Sequence, residues 1–135
     1  MMKAPLLPDT SAWIDFLRNQ DSFLRRRLAA GDGIHYTQPI LMEILAGARD
    51  DRQWLLLRRF VTGATLIPFE TVADFEGAAW IYRRGQQLGL HIGHVDCLVL
   101  AVAQRAHATL VTADRRQAAL GESLGISVKR TKPPA

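Results

Sequence analysis

The run Leu6-Leu7-Pro8-Asp9-Thr10-Ser11-Ala12-Trp13-Ile14-Asp15-Phe16-Leu17 changes its periodicity at a single residue. Leu6 to Pro8 is short and apolar, as a buried strand is. After Asp9, the apolar residues Trp13, Ile14, Phe16 and Leu17 recur at helical spacing, with Thr10 and Ser11 as candidate N-caps. A strand feeding directly into a helix opens an α/β unit. In open α/β sheets, ligands gather outside the carboxyl ends of the strands. Asp9 stands at that edge, and the question becomes which other acids join it.

The remaining chain repeats the alternation. Residues 22–30 put Phe23, Leu24 and Leu28 on one helical face, with Arg25, Arg26 and Arg27 largely on the other, before Gly31-Asp32-Gly33 breaks the pattern. Ile34-His35-Tyr36-Thr37 reads as a second strand, with Pro39 marking its exit. Helices follow over 40–48 and 53–60, then a third strand over 64–69 and a long amphipathic helix over 72–88. Residues 95–108 leave almost no polar face, which predicts a helix buried on most sides. Thr109-Leu110-Val111-Thr112 reads as a fourth strand, followed by a short helix over 115–124, a last strand over 126–129 and a polar, proline-bearing tail. Strands alternating with helices imply a parallel sheet with right-handed crossovers. No repeat or linker divides the chain, so one α/β domain is expected.

Composition narrows the setting. The 135 residues are 48% apolar and 22% charged, enough for a real core. No apolar run approaches the ~20 residues that span a bilayer, and Met1-Met2-Lys3-Ala4-Pro5 is too short for a signal peptide, so no membrane is expected. A lone cysteine, Cys97, leaves no intramolecular disulfide and fits a reducing cytosol; a cytoplasmic protein is expected. The net charge of +4 favours polyanions or an acidic protein partner.

Four acids fall where this layout gathers side chains: Asp9 after the first strand, Glu43 early in a helix, Asp96 at a helix start and Asp114 after the fourth strand. Their neighbours are apolar, as in Leu41-Met42-Glu43-Ile44-Leu45 and Val95-Asp96-Cys97-Leu98-Val99. Carboxylates among core residues are costly unless paired, protonated or bound to metal. Oxygen ligands without a Cys/His set point to Mg²⁺ or Mn²⁺ rather than Zn²⁺. Such ions can hold a phosphodiester and ionise a water without a covalent nucleophile. Taken singly, Asp9 reads equally as a helix cap, Asp96 as an acid favourable to its helix dipole, and Asp114 as a turn residue. Those separate readings explain the coincidence of all four poorly.

Asp9-Thr10-Ser11-Ala12-Trp13-Ile14-Asp15, Met42-Glu43-Ile44-Leu45-Ala46-Gly47-Ala48-Arg49, Val95-Asp96-Cys97-Leu98-Val99-Leu100-Ala101 and Leu110-Val111-Thr112-Ala113-Asp114-Arg115 resemble, in order and spacing, the motifs of PIN-domain ribonucleases, most of all VapC-type toxins of bacterial toxin–antitoxin pairs. The resemblance covers nearly the whole chain. It implies a three-layer α/β/α fold with a parallel sheet of about five strands, and a Mg²⁺- or Mn²⁺-dependent endoribonuclease acting on RNA. It also implies a homodimer and a hetero-oligomer with a cognate VapB-type antitoxin, whose C-terminal segment blocks the acidic cleft. Asp9, Glu43, Asp96 and Asp114 match the family's acidic quartet; Ser11 matches the hydroxyl that supports the metal site, and Thr112 is a second supporting candidate. Three departures stand out. Pro8 precedes Asp9 where an aliphatic residue is usual, which predicts a strand ending one residue early. Gly93-His94 precedes Asp96, and Arg115-Arg116-Gln117 follows Asp114 where an acid and an aromatic are often found, leaving one candidate for the fourth acidic position.

Other residues carry less. Cys97 reads as structural, and His35, His91 and His107 share no metal-ligand spacing. His94 is a candidate substrate contact, while Trp54 with Arg58-Arg59 and Trp80 with Tyr82 are candidate partner faces. The alternative function is a catalytically weak PIN-like binding module whose acidic pocket docks a basic peptide.

Overall fold

The computed structural model describes residues 3–18, 22–30 and 33–131, with Leu28 described by its backbone alone. The expected helix end at 19–21, the turn at 31–32, the inward Leu28 side chain and the tail from Lys132 onward lie outside the described residues.

The elements alternate as the sequence predicts: β1 (Leu6–Pro8), α1 (Thr10–Arg18), α2 (Phe23–Ala29), β2 (His35–Tyr36), α3 (Gln38–Ala46), α4 (Asp51–Thr62), β3 (Thr65–Leu66), α5 (Thr71–Leu88), α6 (His94–Ala106), β4 (Thr109–Thr112), α7 (Arg115–Ser123) and β5 (Val128–Arg130). All strand pairs are parallel. β1, β4 and β5 form one sheet in the order β1-β4-β5, and β2 pairs with β3 in a second. One parallel bridge, Leu6 to Ile34, joins them. The five expected strands are therefore present, in the spatial order β3-β2-β1-β4-β5, but as three plus two rather than one continuous ladder.

Pro8 explains the break. Pro5 and Asp9 direct their backbone groups to the β4 side: the Thr109 amide donates to Pro5 O (2.8 Å) and the Asp9 amide to Val111 O (2.9 Å). Leu6 donates the other way, to Gly33 O. Strand alternation puts Pro8 on Leu6's side, so the donor that proline lacks is the one β2 would need. The strand does not end early as expected. Pro8 stays in β1, in register with Val111, and it is the β1–β2 ladder that stops.

The third strand, expected over 64–69, is confined to Thr65–Leu66, and other local expectations shift by a residue or two. Pro39 lies in the first turn of α3 rather than only closing β2, where its missing N–H is tolerated. β5 begins at Val128, two residues later than predicted.

Right-handed crossovers put the helices between β1 and β3 on one face of the sheet and those from β3 to β5 on the other. The packing agrees. Phe60 of α4 meets Trp13 and Phe16 of α1 at ring separations of 6.1 and 5.2 Å. Opposite, Gly85 of α5 lies against Leu120 of α7, and Gly121 of α7 against Leu100 of α6. The α6 helix buries Cys97, Val99, Leu100, Ala101, Val102 and Ala103, as its all-apolar sequence requires. α3 touches α1, α4 and α6. Asp74 is buried beside this core and is held from the surface by exposed Arg105, which makes two 2.9 Å hydrogen bonds to it and donates to Pro68 O at 2.7 Å. Among the described residues, no helix is long and apolar enough to cross a membrane.

Candidate active site

Strand order reverses between β1 and β4: the chain builds outward from β1 to β2 and β3, then returns to add β4 and β5. Such a switch point leaves a crevice at the carboxyl ends of the two strands. Asp9 is the residue after β1, and Asp114 is the second residue after β4.

Asp9 is 4% exposed and fully engaged. Its Oδ1 accepts from Ser11 Oγ at 2.6 Å and from the Ala12 amide at 3.0 Å, and its Oδ2 accepts a short hydrogen bond from Thr112 Oγ1. The Asp9 carbonyl receives the Trp13 amide, so Asp9 itself caps α1, while Thr10 and Ser11 lie inside the helix with their hydroxyls free for other work. Burial raises the Asp9 pKa above its ordinary 3.8 despite these hydrogen bonds, which pull it down; the Asp114 charge adds to the rise.

The two supporting hydroxyls tie the turns together. Ser11 Oγ accepts from the Ala113 amide at 3.1 Å, joining the β1–α1 turn to the β4–α7 turn. Thr112 Oγ1 accepts from the Asp114 amide at 3.0 Å while donating to Asp9. Asp114 Oδ1 then accepts from the Arg116 and Gln117 amides at 2.9 and 3.0 Å and caps α7.

Asp96 sits half-buried in the first turn of α6. Its carboxyl is pushed up to about 6, first by burial and then by the charges of Glu43, Asp9 and Asp114. All four predicted acids thus share one electrostatic neighbourhood. Glu43, half-buried on α3, is held by Thr10, whose Oγ1 donates to Glu43 Oε1 at 2.6 Å.

As their side chains stand, no three His, Cys, Asp or Glu residues among those described converge closely enough to enclose an ion. Hydrogen bonds fix the orientation of three of these carboxylates: Asp9 on Ser11 and Thr112, Glu43 on Thr10, and Asp114 on the α7 amides.

Sequence reasoning names Ser11 and Thr112 but misses Thr10 and Gln117. Thr10 carries a signal, a second hydroxyl beside Asp9, but one that reads equally well as a cap. His94 is exposed as the first residue of α6, with its ring 4.8 Å from Tyr82. Cys97 is 1% exposed, and burial, with Asp96 adding to it, pushes its thiol up to about 11. It is no nucleophile.

With this geometry in view, comparison with known proteins is direct. Residues 6–123 match the family model of the PIN domain. The chain is 37% identical over 115 residues to the VapC ribonuclease Mb1587 of Mycobacterium bovis, covering 81% of this chain and 86% of that protein, and equally to Ribonuclease VapC11 of Mycobacterium tuberculosis. Its fold is similar to that in the crystal structure of DNA-bound VapBC from Salmonella typhimurium (TM-score 0.76, 19% identity, 95% of this chain and 98% of that one). It is also similar to VapBC-1 from nontypeable Haemophilus influenzae (TM-score 0.76, 14% identity, 93% and 97%).

Proposed function

Because this chain belongs to the PIN-domain family, we propose that it is a divalent-metal-dependent endoribonuclease, the toxin of a toxin–antitoxin pair, working in the cytoplasm as a single nuclease domain. The ribonuclease names of its relatives and the VapBC assemblies that share its fold support the activity and the antitoxin partner. The observation that carries the site is geometric: Asp9 and Asp114 stand at the carboxyl ends of β1 and β4, tied together through Thr112 and Ser11, and the Asp96 carboxyl beside them is raised to about 6 by burial and then by the other three acids.

The donor set suits Mg²⁺ or Mn²⁺: four carboxylates, hard oxygen ligands whose mutual repulsion a divalent cation offsets. Asp9, Glu43, Asp96 and Asp114 would hold it. When bound, such an ion promotes ionisation of water and stabilises the charge that develops on a phosphodiester during in-line displacement. The chain's own groups do the rest. Ser11 and Thr112 orient Asp9, Thr10 orients Glu43, and the α7 amides orient Asp114. The net charge of +4 includes these acids, so the surface around them is more basic than the total and draws in RNA.

Two apolar faces match the two protein partners of such a toxin. α4 exposes Trp54, Leu55, Leu56 and Phe60, and α5 exposes Val72, Phe75 and Trp80. Clusters of large exposed apolar residues mark interaction surfaces. We assign α4 to the antitoxin segment and α5 to a homodimer contact.

The test is cleavage of total cellular RNA by purified, antitoxin-free protein with Mg²⁺, Mn²⁺ or EDTA, beside Asp96→Asn. Discrete fragments that require both metal and Asp96 are expected. Cleavage that persists in EDTA or in Asp96→Asn would overturn the site; a folded protein that cleaves nothing would overturn the enzyme.

A further inference from the structure

Gln117 is 1% exposed, in the first turn of α7, directly beneath the switch-point turns. Its amide nitrogen is buried with no hydrogen-bond partner, and its amide oxygen lies 3.5 Å from Thr112 Oγ1. A buried polar side chain left unsatisfied costs more than an apolar side chain of the same shape. The neighbouring hydroxyl resolves the matter. Thr112 has one proton and gives it to Asp9 Oδ2, so toward Gln117 it can only accept. Turning the amide end for end places its N–H₂ against Thr112 Oγ1 and leaves the carbonyl, the less costly group to orphan, facing the core. The same residue's backbone amide already donates to Asp114 Oδ1 at 3.0 Å.

We propose that Gln117 is a positioning residue for the acidic centre: its side-chain amide donates to Thr112 and fixes that hydroxyl on Asp9, while its backbone amide fixes Asp114. One residue thereby sets two of the four carboxylates. The inference rests on the metal-dependent reading above and deepens it, since a carboxylate held in one orientation binds a cation better than one free to rotate.

The test is Mn²⁺ binding to the metal-free protein, measured by calorimetry or by the loss of the free Mn²⁺ paramagnetic signal, together with RNA cleavage. Gln117→Met and Gln117→Leu both keep an apolar side chain of similar bulk in this buried place and remove the donor without adding a charge. Each is expected to weaken Mn²⁺ binding about fivefold, short of the roughly 10- to 100-fold typical of groups that hold a ligand directly. Each should lower kcat with KM little changed, because the RNA-binding surface is untouched. In Thr112→Val, which removes the acceptor, adding Gln117→Met should weaken binding no further. Wild-type Mn²⁺ affinity in both Gln117 variants, or full additivity with Thr112→Val, would overturn this inference while leaving the nuclease intact. A wild-type protein that binds no Mn²⁺ and cleaves no RNA would overturn both.

Discussion

Removing the Asp96 charge should make the metal-free protein more stable while destroying its activity. The carboxyl rises from 3.8 to about 6, through burial first and then through Glu43, Asp9 and Asp114. Roughly two pK units at 1.36 kcal/mol each is about 3 kcal/mol for a fully buried group. Asp96 is only half-buried, so solvent screening reduces this to about 1–1.5 kcal/mol. The folded state binds the Asp96 proton more tightly than the unfolded chain does. The penalty is therefore complete above pH 6, shrinks as pH falls through the interval from 6 to 4, and is gone once both states are protonated. The neutral amide of the Asp96→Asn variant carries no such penalty at any pH.

Thermal unfolding of wild type and Asp96→Asn in EDTA, from pH 4 to pH 8, reads this directly. At pH 7.5 the variant should melt about 3–5 °C higher, and the two curves should converge toward pH 4. Saturating Mn²⁺ should reverse the order, because an ion at 100 times its Kd stabilises the wild type by about 2.7 kcal/mol and the variant much less. A variant that melts lower at pH 7.5, or one offset by a constant amount across the whole range, would refute the claim that burial and the three neighbouring acids make the Asp96 charge costly in the metal-free fold.

Arg105→Ala removes two hydrogen bonds from the Asp74 carboxylate, which is 2% exposed, and should cost about 1–2 kcal/mol by urea denaturation, with cleavage by the remaining folded protein unchanged. Gly85→Ala places a methyl 2.7 Å from the Leu90 backbone carbonyl and 3.2 Å from Leu120, so the turn that closes α5, where the Leu90 amide donates to Gly85 O, must shift; about 2 kcal/mol of lost stability is expected in the same assay. Leu55→Asp with Leu56→Asp on α4 should abolish co-purification of the antitoxin and leave RNA cleavage intact; retained antitoxin binding would remove α4 from the partner surface.

The alternation of strands and helices is legible in the sequence because each element has its own periodicity, and the α6 helix is legible because it has no polar face. The four acids are readable as a series because they fall at element ends. What escapes depends on contacts between distant residues. Nothing in the spacing of Thr10 and Glu43, 33 residues apart, says that the hydroxyl meets the carboxylate. Nothing near Gln117 signals that its amide faces Thr112. Pro8 stands out in the sequence, but its effect falls on one side only, and the side follows from which neighbour Leu6 and Asp9 address. The division into three plus two strands follows from that parity.

Asp9 has two duties that can be separated. It caps α1 through Oδ1 and its carbonyl, and it supplies a charge to the acidic cluster. Asn caps a helix about as well as Asp, and its side-chain oxygen can take the Ser11 and Ala12 hydrogen bonds, but its NH₂ cannot accept the Thr112 hydroxyl and it carries no charge. Ala loses both duties and also orphans the Ala12 amide. Asp9→Asn should therefore melt within a few degrees of wild type in EDTA and cleave no RNA. Asp9→Ala should lose about 1–2 kcal/mol for the cap and more for the groups left unpaired, visible as a lower urea midpoint. Equal destabilisation in the two variants would mean that the charge, not the cap, holds this turn, contrary to the burial-driven rise in the Asp9 pKa. Their separation would show that the first turn of the fold is stabilised by the same atoms that hold the acid ready, which is why an acid, not an apolar residue, closes β1.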